Sequence, residues 1–210
     1  MPLFKIEHTA KESAWGIWHI AEREEELVFH TAEQCPEELI SPSKRLEWLA
    51  GRVLIRTLLE RVNVSSAGVM KDEFGKPFLK ALPHQISLTH SYPYVAAQID
   101  LRHSVGIDLE QPKQKLLAIG PRVLSATELT DAGNNIVKHC VYWCAKEALY
   151  KIYGKRGLHF ANQLNIEPFL LKESGELKGF ITVNGQKQNV NLIYQVHPDF
   201  VLVLTKTVSL

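Results

Sequence analysis

The sequence predicts an α+β protein built from two lobes, residues 1–104 and 105–210. Three observations support this fold class. Strand-like and helix-like segments do not alternate strictly, so a doubly wound parallel sheet is not expected. Two long helical patterns, at about 42–61 and 134–153, are flanked by short apolar segments that are typical of strands. Gln111-Pro112-Lys113 interrupts the chain near its midpoint.

The first lobe is expected to begin with strands, because residues 3–8 and 14–20 are rich in apolar side chains. Ser41-Pro42 then predicts the start of a helix, with serine as the N-cap and proline at the first helical position. Apolar residues recur at helical spacing from Leu46 to Leu58 and extend this helix to about residue 61. Later strands are predicted at 86–90 and 94–100, and a further strand at 105–109 lies at the junction with the second lobe.

The second lobe is predicted to contain both helices and strands. Helical spacing indicates helices at about 114–120 and 134–153. Asn184-Gly185 is typical of a hairpin turn, because both residues tolerate the left-handed backbone that such a turn needs. The four strands predicted here lie at about 163–171, 178–185, 189–196 and 199–206.

The composition indicates an ordinary folded protein of 210 residues, of which 45% are hydrophobic and 22% are charged. Its formal net charge is +1, so neither a nucleic acid nor a membrane surface is expected as a partner. Any basic binding site must therefore be local. Apolar runs stay well below the roughly 20 residues that span a bilayer.

The cellular location is predicted to be the cytosol. The first residues show no basic segment followed by an apolar one, so no signal peptide is expected. Cys35, Cys140 and Cys144 cannot all pair within one chain and are interpreted as reduced thiols. Cys140 and Cys144 beside His139 could suggest zinc, but a structural zinc site needs four ligands. Buried helix cysteines are the favoured interpretation.

The helix predicted from Asn134 to Gly154 carries charges on its apolar face. At about 100° per residue, its apolar residues share one broad face. Glu147 and Lys151 project onto that same face, where a buried charge is unfavourable unless it is paired or binds a metal. An ion pair between them at i,i+4 spacing is the structural alternative. Lys146 is expected on the other side of the helix, in solvent.

Two acidic residues alternate with apolar ones in the segment from Val105 to Glu110. Because side chains alternate along a strand, Asp108 and Glu110 should share one face, roughly 6.5 Å apart along the backbone. Carboxylates this close repel each other unless a cation lies between them. Magnesium prefers such oxygen ligands and commonly completes its coordination with substrate phosphates. A solvated acidic strand edge is the structural alternative.

Candidate phosphate ligands occur in the first lobe. Arg45, Arg52 and Arg56 fall within about 40° of one another on the helical wheel, and the planar guanidinium suits phosphate oxygens. A solvated arginine face is the alternative. The segment from Lys71 to Pro77 is predicted to form a tight turn, and Thr89-His90 places a hydroxyl and an imidazole together near a strand end.

Four blocks follow one another in this sequence: Gly75-Lys76-Pro77, Ser87 to Ser91, Val105 to Glu110, and Trp143 to Lys151. Taken together and in this order, they resemble the surfactin-synthetase-activating (Sfp) type of 4′-phosphopantetheinyl transferase. The G-[IV]-D-x-E and W-x-x-K-E-[AS]-x-x-K patterns are specific as a pair, and the resemblance covers roughly residues 42–160. Thr89 stands where the family usually has serine, and it keeps the hydroxyl.

The resemblance implies a fold and a nucleotide-binding region. The expected fold has two similar α+β lobes in a pseudo-twofold arrangement, each a small, mostly antiparallel sheet packed with helices, with the active site in the cleft between them. It also implies a monomer. The residues expected to bind the nucleotide end of coenzyme A, including its 3′-phosphate, are Lys76, Thr89, His90 and, on the first long helix, Arg45 or Arg52.

The same resemblance assigns the catalytic region. Asp108, Glu110 and Glu147 would hold Mg²⁺, which would also bind the pyrophosphate of coenzyme A. Of these, Asp108 and Glu147 are expected to be catalytic, together with Lys151. Lys151 would contact the pyrophosphate and Lys146 would lie nearby, while Lys155, which also fits the family's pattern, is expected to bind coenzyme A.

The implied reaction transfers the 4′-phosphopantetheine group of coenzyme A to a serine of an apo acyl, aryl or peptidyl carrier protein. The serine attacks the β-phosphorus, 3′,5′-ADP leaves, and Glu147 takes the serine proton directly or through water. Two functional alternatives use the same residues. One is a metal-dependent nucleotide pyrophosphohydrolase, and the other is a non-catalytic module that binds coenzyme A or a carrier protein. A globular domain with scattered ion pairs is the structural alternative.

Overall fold

The computed structural model describes residues 3–10, 13–31, 33–65 and 68–206. The chain forms two compact units, a first unit drawn from the described residues up to Val105 and a second unit from Gly106 to Lys206. Each unit contains an antiparallel sheet packed with helices, so the predicted α+β class is confirmed. The pseudo-twofold relation between the lobes stays a prediction.

Six strands of the described chain form the sheet of the first unit: β1 (Leu3–Ala10), β2 (Ser13–His19), β3 (Val69–Lys71), β4 (Pro77–Leu79), β5 (Gln85–Ser91) and β6 (Tyr94–Asp100). Their order in the sheet is β1-β2-β6-β5-β4-β3. Strands β5 and β6 form a hairpin that runs from Gln85 opposite Asp100 to Ser91 opposite Tyr94. Thr89 and His90 therefore lie at the turn end of this hairpin.

Two helices pack in the first unit, α1 (Glu24–His30) and α2 (Pro42–Arg61). Helix α2 begins directly after its N-cap Ser41, as predicted. It packs on β2, β5 and β6, and Leu49, Leu54 and Leu58 are fully buried in the core that it forms with the sheet. Helix α1 was not predicted, because its seven residues are too few to show a helical period.

The sheet of the second unit contains five strands of the described chain: β7 (Ile107–Glu110), β8 (Leu164–Ile166), β9 (Ser174–Val183), β10 (Gln186–Val196) and β11 (Val201–Thr205). Their order is β7-β11-β10-β9-β8, and Asp108 on β7 lies opposite Val203 on β11. The predicted hairpin turn is confirmed between β9 and β10, where Asn184 and Gly185 have φ angles of 50° and 77°.

Four helices of the second unit are described: α3 (Lys115–Val123), α4 (Ala126–Ala132), α5 (Ile136–Tyr153) and α6 (Phe160–Gln163). Helix α5 packs across the sheet and also against α3 and α4. Cys140 and Cys144 are fully buried in this core and are free thiols, which confirms their interpretation as buried helix cysteines. Among the described helices, none is both long and apolar enough to cross a bilayer.

The strand predicted at 163–171 is shorter than expected, and the chain leaves the sheet after β8. Pro168 has no N–H group with which to continue the ladder. The Tyr194 hydroxyl then replaces the sheet as a partner of the backbone, because it accepts the Lys172 N–H at 3.0 Å and donates to the Leu170 carbonyl at 3.3 Å. These bonds stabilise a loop in place of a strand.

Candidate active site

Strand β7 and helix α5 approach each other closely at Gly106. A Cβ atom added there would lie 2.1 Å from the Ala148 carbonyl oxygen and 2.9 Å from Ile152 Cγ1. The carbonyl belongs to the backbone of α5 and cannot move aside as the end of a side chain could, so this position requires glycine. The close approach places β7 beside the part of α5 that carries Glu147 and Lys151.

Asp108 and Lys151 form an ion pair between β7 and α5. Lys151 Nζ lies 2.7 Å from Asp108 Oδ1 and 2.7 Å from the Ile107 carbonyl oxygen. Asp108 is only 6% exposed, so solvent weakens this pair less than it weakens a surface pair. The alternative i,i+4 ion pair between Glu147 and Lys151 is absent from the described residues, since the ammonium is turned towards the strand.

Glu147 lies one turn before Lys151 on α5 and is half-buried. Burial, followed by the negative charge of Asp108, raises the pKa of Glu147 to about 7, while the Lys151 ammonium opposes this increase. In the described part of the chain, the Glu147 carboxylate takes part in no ion pair or hydrogen bond. The Lys151 ammonium thus pairs with Asp108, and a further cation would be favoured beside the Glu147 carboxylate.

Glu110, the third predicted metal ligand, has other partners. Its Oε2 lies 3.0 Å from Lys115 Nζ, and its Oε1 accepts the Gln111 N–H at 2.9 Å. No three His, Cys, Asp or Glu side chains within the described residues are placed to hold a metal ion together. The donor chemistry does suit Mg²⁺, because all three predicted ligands are carboxylates and Glu147 has no hydrogen-bond partner in the described chain. The magnesium site stays a prediction.

The prediction that Lys146 faces solvent is wrong. Its side chain is 0% exposed, and its Nζ lies 2.6 Å from Glu128 Oε2. The carbonyl oxygens of Val123 and Phe160 accept its other two hydrogen bonds, at 2.8 and 3.0 Å. The helical wheel misplaced this residue because α5 is covered on more than one side, by the sheet and by α3 and α4.

Glu128 is the buried partner of Lys146 and is itself fully paired. Besides the ammonium, its carboxylate accepts the N–H groups of Ser125 at 2.7 Å and Ile166 at 2.8 Å. Burial lowers the pKa of Lys146, and the hydrogen bond to Glu128 opposes that decrease. This pair joins α5 to α4 and to β8, so it supports the helix that carries Glu147.

Lys155 lies just beyond α5. The helix ends at Gly154, whose φ of 70° is left-handed, and the chain turns again at Gly157 with a φ of 92°. Lys155 and Arg156 between these glycines are exposed. The structure thus leaves Lys155 accessible to a ligand and does not bring it into contact with Asp108.

In the first unit, a buried carboxylate holds the predicted nucleotide-binding histidine. Glu47 on α2 is 2% exposed, and its Oε2 lies 3.2 Å from His90 Nδ1 and 2.7 Å from Lys44 Nζ. Its Oε1 accepts the Tyr92 N–H at 3.0 Å. The His90 side chain is exposed and that of Thr89 is buried, as the alternation of side chains along a strand requires.

The predicted tight turn from Lys71 to Pro77 is confirmed between β3 and β4. Gly75 has a φ of 91°, and Asp72 Oδ1 accepts the N–H groups of Phe74 and Lys76 at 2.9 and 2.8 Å. Burial lowers the pKa of Lys76, and the charge of Asp72 opposes that decrease. A half-buried ammonium of this kind is favoured by an anion beside it.

Arg45 and Arg52 on α2 are each paired with a glutamate. Arg45 Nε lies 2.9 Å from Glu24 Oε1, and Arg52 Nε lies 3.1 Å from Glu33 Oε2. Arg52 is only 8% exposed and its guanidinium stacks on the Trp48 ring at 4.3 Å. The alternative of a solvated arginine face is therefore wrong for Arg52. The roles of both arginines towards a phosphate stay predictions.

Glu47 and Glu128 support the candidate site and were missed in the sequence. On the helical wheel Glu47 projects beside Leu54, within the apolar side of α2, which is the same kind of signal that singled out a charge on α5. Glu128 follows a serine N-cap at the third helical position, a pattern typical of a capping box. Nothing in the sequence pairs it with Lys146, because that contact forms only in the folded unit.

Comparison with known proteins agrees with the motifs. Residues 104–204 match the model of a family described as the 4′-phosphopantetheinyl transferase superfamily. A 4′-phosphopantetheinyl transferase of Bacillus subtilis is 31% identical over 116 residues, which are 51% of this chain and 51% of that protein. The 4′-phosphopantetheinyl transferase Sfp of Bacillus subtilis strain 168 matches to the same extent. The chain thus spans about half the length of the curated relatives it matches.

Proposed function

Because residues 104–204 match the model of the 4′-phosphopantetheinyl transferase superfamily, we propose that this protein transfers the 4′-phosphopantetheine group of coenzyme A to a serine of an apo carrier protein. The acceptor would be an acyl, aryl or peptidyl carrier protein, and 3′,5′-ADP would be the second product. The observation that supports this proposal most is the shielded Asp108–Lys151 pair with the half-buried Glu147 carboxylate beside it.

Mg²⁺ is the metal that we propose for this reaction, with Asp108, Glu110 and Glu147 as its protein ligands. Carboxylate oxygens are the ligands that Mg²⁺ prefers, and Asp108 lies close enough to Glu147 to raise its pKa. Glu110 would exchange its partner Lys115 for the metal. When bound, Mg²⁺ would offset the negative charge that develops on the pyrophosphate as its bond breaks.

The transfer itself is a displacement at the β-phosphorus of coenzyme A. The serine oxygen of the carrier protein forms a new bond to this phosphorus, and the bond from phosphorus to the bridging oxygen breaks. That oxygen keeps the electron pair and leaves as part of 3′,5′-ADP. Glu147 takes the serine proton, directly or through water, and Lys151 stabilises the charge on the leaving phosphate.

The nucleotide end of coenzyme A is proposed to bind residues of the first unit. Lys76, Thr89 and His90 are the candidates, and the half-buried ammonium of Lys76 and the exposed side chain of His90 support them. Arg45 or Arg52 would assist by exchanging a glutamate for a phosphate.

We propose different roles for Lys155 and Lys146. Lys155 is exposed and is proposed to approach the pyrophosphate. Lys146 already donates three hydrogen bonds within the second unit, so we assign it to the support of α5 and not to direct contact with coenzyme A.

We also infer that the protein acts as a monomer in the cytosol. Cys35, Cys140 and Cys144 are free thiols in the structure, which supports a reducing compartment. Light scattering during size-exclusion chromatography tests the monomer, which would be contradicted by twice the mass of the chain.

The first test is transfer to a carrier protein, measured by the intact mass of that protein. The purified protein is incubated with coenzyme A, Mg²⁺ and an apo carrier protein, and we expect the mass of the carrier to increase by one phosphopantetheine group. Glu147→Gln should reduce this transfer at least ~100-fold, because it removes a base and a metal ligand together. Glu173→Gln, a change of the same kind at an exposed position, should leave the rate unchanged.

Two results would contradict this proposal. Release of 3′,5′-ADP at the same rate without any carrier protein would indicate a pyrophosphohydrolase with water as the nucleophile. Binding of coenzyme A with no mass increase on acyl, aryl or peptidyl carriers would indicate a binding module. Near-normal transfer by Glu147→Gln would reject the role of this residue but not the reaction.

A further inference from the structure

Glu47 is a buried carboxylate with two partners at the turn end of the β5–β6 hairpin and one on its own helix. It belongs to α2 and is 2% exposed. One oxygen lies 3.2 Å from His90 Nδ1 and 2.7 Å from Lys44 Nζ, and the other accepts the Tyr92 N–H at 3.0 Å. A single side chain therefore joins the long helix to His90 and to the backbone of Tyr92.

The contact from Glu47 restricts the His90 ring. Because a buried carboxylate is unfavourable without partners, the contact of Glu47 with Nδ1 at 3.2 Å favours one orientation of the imidazole. Nδ1 then faces Glu47. The His90 side chain is 46% exposed, which means that a ligand in solution can approach it.

The charge of Glu47 matches the chemistry of an anionic ligand. Donation from Nδ1 to a carboxylate and from Nε2 to a phosphate requires protons on both nitrogens, so the ring must carry a positive charge. The Glu47 carboxylate offsets that charge on the protein side, because opposite charges a few ångströms apart attract each other. A neutral amide at position 47 would keep the shape and lose this effect.

We propose that Glu47 is a positioning residue that orients and charges His90 for the 3′-phosphate of coenzyme A. This inference rests on the proposed function for the identity of the ligand. It adds Glu47 as a residue that acts on the ligand through His90. It predicts that loss of Glu47 affects ligands with a 3′-phosphate and spares those without one. A residue with only a structural role would affect both groups of ligands equally.

The test compares coenzyme A with 3′-dephospho-coenzyme A as substrates of the wild type, Glu47→Gln and Glu60→Gln. Glu60 lies on the same helix, is largely exposed and pairs only with Arg56 among the described residues, so it is the matched control. For Glu47→Gln we expect KM for coenzyme A to rise about tenfold, the effect of losing a charged hydrogen bond, with kcat changed less than about twofold. KM for the dephosphorylated substrate should stay within about twofold of the wild-type value, because this substrate has no 3′-phosphate for His90 to bind.

Titration calorimetry with 3′,5′-ADP and 5′-AMP repeats the comparison without any transfer reaction. If the wild type transfers nothing, the proposed function fails, while these affinities still decide the role of Glu47. Glu47→Asp, which keeps the charge and shortens the side chain, takes the place of Glu47→Gln if the amide variant does not fold. Equal losses for ligands with and without the 3′-phosphate, or wild-type affinity for 3′,5′-ADP in Glu47→Gln, would overturn the proposal.

Discussion

The buried ammonium of Lys146 is stabilised by three hydrogen-bond partners, and Glu128 supplies the only negative charge among them. The desolvation of a buried ion pair is costly, and it is offset only where hydrogen bonds satisfy both partners. Glu128 meets that condition through the N–H groups of Ser125 and Ile166. The pair therefore stabilises the second unit only as long as both members are present.

Lys146→Ala is expected to lower the free energy of unfolding by about 3–5 kcal/mol, because it leaves Glu128 buried without a positive partner. Urea denaturation followed by circular dichroism measures this loss. Lys178→Ala, at an exposed position of β9, is the control and should change stability by less than about 0.5 kcal/mol. Equal losses in the two variants would show that the buried pair contributes nothing specific.

The junction of β7 and α5 brings the candidate catalytic residues together. Gly106 allows the strand to contact the helix backbone at Ala148, and the Asp108–Lys151 ion pair follows within the same contact. Packing against α5 therefore explains why residue 106 is glycine. The position of Asp108 beside the helix depends on this close contact.

Gly106→Ala is expected to destabilise the protein by about 1–3 kcal/mol, because the added Cβ meets backbone and not a flexible side chain. Transfer activity should fall more than the folded fraction does, since Glu147 and Lys151 on the helix would shift relative to Asp108 on the strand. Gly179→Ala is a matched comparison in the same unit, where a Cβ would meet only the ends of Ile166 and Leu149 at 3.1 Å. Comparable activity of both variants at equal folded fraction would contradict the link between Gly106 and the site.

At the scale of the whole molecule, the predicted binding residues are divided between two units that each have their own sheet and core. The candidates for the nucleotide end, such as Lys76 and His90, belong to the first unit. Asp108, Glu147 and Lys151 belong to the second. The proposed ligands of coenzyme A can therefore be tested by one substitution in each unit.

Coenzyme A with Mg²⁺ at about 100 times its dissociation constant is expected to raise the unfolding midpoint by about 5–10 °C. Differential scanning fluorimetry measures this shift. His90→Ala and Glu147→Gln should each reduce it at a fixed ligand concentration, although they change different units, and EDTA should reduce it in the wild type. A shift that neither variant nor EDTA alters would contradict the proposed ligands.

Much of the fold could be predicted because its signals are local. Helix α2 and the hairpin turn at Asn184-Gly185 are each indicated by a few neighbouring residues, through capping and turn chemistry. Helix α4, with seven residues, was missed because it is too short to display a period. The wheel of α5 correctly marked Glu147 as unusual and wrongly placed Lys146 in solvent, because a wheel assumes that a helix is buried on one side.

The sequence by itself determined where the long helices and hairpins lie and which charged residues need a partner, because backbone periodicity and turn chemistry act over a few residues. Only the tertiary structure decided which residues form ion pairs with them. Lys151 pairs with Asp108, 43 positions away, and not with Glu147 one turn away. Lys146 pairs with Glu128, and His90 with Glu47. Such pairs depend on how strands and helices pack, and packing distances follow from side-chain volumes and close contacts, as at Gly106, that no local pattern contains.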